Sequence, residues 1–227
     1  MRRILGLCLF FYVFNLSAQE TGDHKLGSWH NYIGNTIISE KISLLTEVQL
    51  RFYDQAENFN EMVLRTGVNY HFVENAHFTV GYAYLRTDET FDEFPGEIKV
   101  NEHRVFEQFT LKNRIWEIDM EHRYGLEQRF LDFGNRTDVQ HRGRYRLQVT
   151  FPLTDIFFIN LSEEVLLNLQ DDIFDQNRLY AGLGVNVTHN LSVEAGFLKT
   201  HFSQINYERL VIGVNYNPDL RGIFKKK

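Results

Sequence analysis

The chain has 227 residues, of which 15% are aromatic, with 20 Phe and 11 Tyr but only 3 Pro and one Cys, and its formal net charge is -6. That length suits one large all-β domain or two small ones, and an aromatic-rich, proline-poor composition favours pleated strands over helices. A negative balance supplies no basic field for holding phosphate backbones, which argues against nucleic acid as a partner.

The first segment, MRRILGLCLFFYVFNLSAQE, has the layout of a secretory signal: Arg2 and Arg3, an apolar run from Ile4 to Val13, then the small residues Ser17 and Ala18. Residues 1–18 are expected to be a signal peptide cleaved before Gln19, with bulky Leu16 as the one departure from the usual small-x-small site. The run is shorter than the ~20 residues that span a bilayer. Cys8 lies inside it, so a mature chain carries no thiol, which removes disulfides, Cys-ligated metal and thiol catalysis. No later segment approaches a transmembrane helix and the mean hydropathy is -0.34. A membrane barrel passes that filter, because each lipid-facing residue alternates with a polar one.

Residues 19–40 follow, containing LGSWHNYIGNTI, which reads as a partial strand, a periplasmic lead-in or a lumen insert. From residue 41 to 217 the chain alternates apolar and polar residues almost continuously. In KISLLTEVQLRFY, Ile42, Leu44, Val48, Leu50 and Phe52 oppose Ser43, Glu47, Gln49 and Arg51. In NEMVLRTGVNYHF, Met62, Leu64, Val68, Tyr70 and Phe72 oppose Glu61, Arg65, Gly67, Asn69 and His71. HFTVGYAYLRT, NEHRVFEQFTLK and IWEIDMEHRYGLEQRF come next, then HRGRYRLQVTFP, where Arg142, Arg144, Arg146, Gln148 and Thr150 oppose Gly143, Tyr145, Leu147, Val149 and Phe151. FFINLSEEVLLN, NRLYAGLGVNV, LSVEAGFLKTHF and YERLVIGVNYN complete a set of ten, and residues 218–227 form a basic tail. Many spans exceed the five or six residues usual in soluble strands, and at ~3.3 Å per residue they can cross a bilayer at a steep tilt. Tight connections (VENAH, KNR, PLTD, VTHN) alternate with longer ones (DQAENFN, DETFDEFPGEIKV, LDFGNRTDV, QDDIFDQ), the asymmetry of barrels with short periplasmic turns and longer outer loops. The expected fold is therefore all-β: one antiparallel up-and-down transmembrane barrel of about ten strands, twelve being open, with an even count placing both ends in the periplasm.

The polar face collects Arg51, Arg65, Arg104, Arg123, Arg129, Arg142, Arg144, Arg146, Arg178 and Arg209 against Glu47, Glu61, Glu102, Glu117, Asp119, Glu121, Glu127, Glu164 and Glu194. Lysine stays at strand ends and tails, at Lys41, Lys99, Lys112, Lys199 and the terminal KKK. A solvated face has no reason to prefer arginine so strongly. An enclosed network has one, because guanidinium is permanently charged, weakly hydrated and able to grip two carboxylates, and because buried charge must be paired. The expected lumen network is Arg51, Arg65, Glu102, Arg104, Glu121, Arg123, Glu127, Arg129, Arg142, Arg144, Arg146, Glu164 and Arg178, filling much of a narrow interior and leaving a thin watery path. The opposite folding of the same pattern, with the apolar face inward, would give a soluble periplasmic lipocalin-like carrier.

Six motifs in order, GSWHNY, NEHRVFEQ, HRYGLEQRF, HRGRYRLQ, FDQNRLYAGLG and GVNYNPDL, resemble an uncharacterised Gram-negative outer-membrane family, domain of unknown function 2490. The resemblance covers nearly all of the chain after the signal segment. It implies a β-barrel in the outer membrane, in contact with outer-membrane lipids and lipopolysaccharide and inserted by the barrel-assembly machinery, and it implies no established activity. Where many such barrels end in an aromatic residue, Phe224 is followed by KKK.

Motifs for chemistry are few. G-x-S-x-G, H-E-x-x-H, the P-loop and the dinucleotide fingerprint do not occur, so no cofactor or metal is expected. GLG at Gly182 to Gly184 lies within a strand, where small residues make room for lumen side chains. The acidic loops lack the spacing and glycine of a calcium loop. His71, His103, His122 and His141 have no metal-ligand spacing and read as paired or interface-facing side chains. One constellation carries an enzymatic alternative: His201 and Ser203 two residues apart, with Glu208 beyond the next turn, supply the parts of an acyl-ester hydrolase. Their spacing is similar to the His-x-Ser pair of outer-membrane lipid A deacylases, which would make this an outer-membrane lipid hydrolase. The leading expectation is a non-enzymatic barrel, structural or passing small solutes.

Overall fold

A computed structural model describes residues 22–91, 99–170 and 172–224. The expected signal segment, residues 92–98 of the long acidic connection, and the terminal lysines lie outside the described residues. Eleven strands follow in chain order: β1 Leu26–Ile37, β2 Ile42–Phe52, β3 Phe59–Val73, β4 Ala76–Thr87, β5 Val100–Ile115, β6 Ile118–Asp132, β7 Thr137–Pro152, β8 Phe157–Asn168, β9 Phe174–Thr188, β10 Leu191–His201 and β11 Asn206–Tyr216, then one helical turn, α1, Arg221–Phe224. Each strand pairs with its sequence neighbours antiparallel, and β1 closes the sheet on β11 in parallel, from Leu26 opposite Glu208 to Gly34 opposite Tyr216.

β1 corrects two expectations. The segment LGSWHNYIGNTI is a full closing strand rather than a lead-in, so the count is eleven instead of ten. Its inward residues are Trp29, Asn31, Ile33 and Asn35 and its outward ones His30, Tyr32, Gly34 and Thr36, so neither face is uniformly greasy and the period-two signal is blurred. With an odd count, β1 starts at the long-loop end and β11 finishes at the short-turn end, so the two ends of the barrel chain emerge on opposite sides. After β11, Ile37 N–H donates to Pro218 C=O (2.9 Å) and Leu220 N–H to Ile37 C=O (2.9 Å), fastening the exit to β1.

The connections follow local chemistry. Ser39 Oγ accepts the N–H groups of Lys41 and Ile42 in the β1–β2 turn, and Thr154 Oγ1 accepts those of Ile156 and Phe157 after Pro152 stops β7. In the β6–β7 loop, Asp132 Oδ1 accepts Gly134 N–H (2.8 Å), and Gly134 takes a left-handed φ of 81° that glycine adopts without strain.

The sheet is inverted relative to a soluble barrel. Val80, Leu126 and Ile212 are 51%, 56% and 50% exposed on the outside, whereas Glu102, Glu127 and Arg209 are each 3% exposed. Arg142, Arg144 and Arg146 line the interior while Tyr145 is exposed and Leu147 and Val149 line an apolar groove on the outer wall. This arrangement does not favour a carrier with a greasy interior. Outward His–Tyr pairs, His103 with Tyr82 and His122 with Tyr145, sit among the apolar residues, which Glu107 and Glu163 interrupt.

Inside, apolar filler accompanies the charges. Val63, Ala83 and Leu85 form a buried cluster, and aromatic rings lie over glycines: Phe106 on Gly81, Phe158 on Gly184, and the Tyr180 hydroxyl against Gly182 and Gly196. A Cβ at Gly81 would fall 2.2 Å from the Phe106 ring and 2.4 Å from the Thr66 carbonyl oxygen, leaving no room for a side chain. Gly81→Val is therefore expected to lower unfolding stability by about 1 to 3 kcal/mol through overpacking, whereas Gly213→Ala, with nothing within 4 Å of the new Cβ, leaves it unchanged or higher. Denaturant titration of the folded barrel checks the pair.

Candidate functional site

Cross-strand register decides which charges meet. Inward positions of neighbouring strands face one another, bringing Glu47 opposite Arg65 and Arg51 opposite Glu61, Arg104 opposite Arg129, Glu127 opposite Arg142 and Arg123 opposite Arg146. The same rows continue with Arg146 opposite Glu164 and Glu164 opposite Arg178. Close opposition of unlike charges stabilises a sheet pair and of like charges opposes it, so the like pairs need a carboxylate from an adjoining row.

Seven inward side chains join one chain of contacts. Glu102 accepts from Arg104 Nε (2.7 Å) and from Arg129 Nε and Nη2 (2.9 and 2.8 Å). Arg104 also reaches Glu127 (3.2 Å), which is shared with Arg144 and, at 3.9 Å, Arg142. Arg144 continues to Glu164 through Nη2 (2.6 Å) and Nε (3.2 Å), and Arg178 reaches the other oxygen of Glu164 at 3.5 Å. The chain runs Arg129, Glu102, Arg104, Glu127, Arg144, Glu164, Arg178, with each interior member held by at least two partners.

Smaller groups complete the wall. Arg51 pairs with Glu61 and lies 3.9 Å over the Trp29 ring, and Arg65 reaches Glu47 (3.5 Å) and Gln108 (3.2 Å) while stacking 3.8 Å over Phe106. Glu121 takes Arg146 (2.9 Å), Arg123 (3.3 Å) and Lys112 (3.5 Å). Arg209 stacks on Tyr207 at 4.5 Å, and Glu194 accepts from Asn160 at 3.1 Å. Tyr53, just past β2, donates to Asp88 C=O (3.1 Å), and burial pushes its phenol above the ordinary range. Together they enclose a cavity of about 1200 Å³ whose lining extends from Glu89 and Ser203 at the long-loop end to Asn186, Ser192 and Asn217 at the short-turn end.

One member of the polar set differs from expectation. Glu117 sits in the exposed β5–β6 turn, whereas Asp119 lines the cavity near that rim and pairs with Arg114 (2.5 Å). Asp175, read as part of an acidic loop, instead binds Arg142 Nε (2.8 Å). A bulge opposite Leu166 and Leu167 skips Asp175 in the register and lets it join Gln176 on the cavity wall. Alternation cannot reveal such a residue, because its phase breaks there. Trp29, on the strand whose period is blurred, likewise carries no pattern that marks it as a lumen residue, whereas Phe106 shares the phase of Arg104 and Gln108.

The hydrolase alternative gains nothing from the geometry. The His201 ring bonds Asn206, Glu208 lies 3.4 Å from Lys199, and Ser203 is in the β10–β11 loop facing the cavity while His201 ends β10 exposed. His71 bonds Ser43 Oγ (2.8 Å) and packs against His77, and among the described residues no group of three His, Cys, Asp or Glu side chains could hold a metal. Gly182 and Gly184 accommodate Tyr180 and Phe158.

Removing one shared cation should reveal the network. Arg144→Met takes a partner from both Glu127 and Glu164 and is expected to cost about 3 to 5 kcal/mol. Arg221→Met breaks only the solvent-exposed pair with Asp219 and should not move the denaturation midpoint measurably. Equilibrium unfolding of the two variants side by side checks the contrast.

Compared with known proteins, residues 26–211 match the model of a family described as Protein of unknown function (DUF2490). Curated proteins and solved structures provide no match.

Proposed function

We propose that this chain, which belongs to the family described as Protein of unknown function (DUF2490), is an outer-membrane barrel with no catalytic role. On this reading residues 1–18 are a cleaved signal peptide, and the barrel serves as a scaffold or a restricted path for small solutes. The observation that carries the reading is the inverted wall, with Val80, Leu126 and Ile212 outward and a guanidinium–carboxylate network inward. An apolar exterior of this extent is stable against acyl chains and costly in water. Arg104 and Arg144, each bridging two carboxylates, would set rigidity and restrict passage. The partners are then outer-membrane lipids and lipopolysaccharide around the belt, and the machinery that inserts such barrels.

Two measurements test it. The protein should fractionate with outer membranes and migrate differently on gels with and without boiling; extraction without detergent would defeat the membrane reading. In planar bilayers it should show small steady conductance, and silence at all voltages would remove passage and leave the scaffold.

Topology gives a sharper test, because the only cysteine, Cys8, lies in the proposed signal. A thiol introduced by His24→Cys or Ala56→Cys, at the long-loop end, should react with an impermeant reagent on intact cells. One introduced by Asn190→Cys or Asn217→Cys, at the short-turn end, should react only after the outer membrane is opened. Protection of His24→Cys on intact cells would contradict the odd-stranded arrangement.

A further inference from the structure

The Glu121 cluster differs from the rest of the interior. Arg123 on β6 and Arg146 on β7 are direct cross-strand partners, two like charges face to face. Both reach the same oxygen of Glu121, at 3.3 and 2.9 Å, and Lys112 lies 3.5 Å from its other oxygen. Three cations thus share one carboxylate. Among the described residues no second acceptor meets either guanidinium, and the Nε of each is buried without a partner. The next carboxylate in the row, Glu164, is already held by Arg144 and Arg178. About a fifth of the Arg123 and Arg146 side chains, 21% and 20%, and 53% of Lys112 remain accessible, and all three line the cavity.

Like charges opposed across a sheet are destabilising, and a partly enclosed cationic excess calls for a counter-charge. Guanidinium forks match the oxygens of a tetrahedral anion, and a lysine adds a point charge beside them. We infer that Lys112, Arg123 and Arg146 form a site on the cavity wall for a small oxyanion of the phosphate or sulfate type. This deepens the passage reading, since it rests on a lumen open to water and names the solute class, but binding itself requires no conduction.

Calorimetric titration of inorganic phosphate into the folded full chain in detergent, at low ionic strength, tests the assignment. Arg123→Gln and Arg146→Gln should each weaken binding about tenfold or more, the loss expected for one charge-assisted contact. Lys112→Gln should weaken it less. Glu121→Gln should tighten it severalfold, an opposite sign that keeps the test decisive if an arginine variant fails to fold, and Arg221→Gln outside the barrel should leave it unchanged. Sulfate should compete. No phosphate heat in the parent chain, or one affinity shared by the parent, the arginine variants and Glu121→Gln, would overturn the site. A barrel that is silent in bilayers yet binds phosphate with this pattern loses the passage role and keeps the site. One that conducts without binding phosphate keeps passage and loses the site.

Discussion

Everything inside this barrel depends on guanidinium groups shared between carboxylates where little water can reach. An ion removed from water costs several kcal/mol unless its partners return that energy, and one partner seldom does. Arg104 joining Glu102 to Glu127, and Arg144 joining Glu127 to Glu164, give those acids two or more cations each. Lysine could not replace them, because a single ammonium lacks the planar fork that holds two acceptors in different rows.

The network holds only if the sheet closes without a slip, since a one-residue shift would send every charge outward. Closure comes from β1, which meets β2 antiparallel and β11 in parallel. Packing of Phe106 against Gly81 and Phe158 against Gly184 brings rings close to backbone at places where any side chain would collide. Those rings also support charge: Arg65 lies over Phe106 and Arg51 over Trp29, so part of the interior is built as stacked layers of guanidinium and aromatic ring.

Opposite demands on the two faces link architecture to function. The exterior presents exposed apolar side chains and the interior pairs charges, and around His201 no nucleophile, base and orienting acid are assembled. What remains chemically expressive is the unequal sharing of charge. Glu102, Glu127 and Glu164 are matched within the long chain from Arg129 to Arg178, while the region around Glu121 is left cationic and open to the cavity.

Alternation by itself determined the strands from β2 to β11, the face each residue occupies away from the β8–β9 bulge, and the arginine–carboxylate character of the interior, because side chains on a pleated strand point in opposite directions without regard to anything distant. Arg142, Arg144 and Arg146 were legible in this way, and so was the room made by Gly182 and Gly184. Tertiary structure alone decided that LGSWHNYIGNTI closes the barrel, that Asp175 turns inward at a bulge, and which acid each arginine grips. Those outcomes depend on register between strands far apart in the chain, and on rows that cross several strands. A local period of two says which face a charge occupies but carries no information about who stands opposite it.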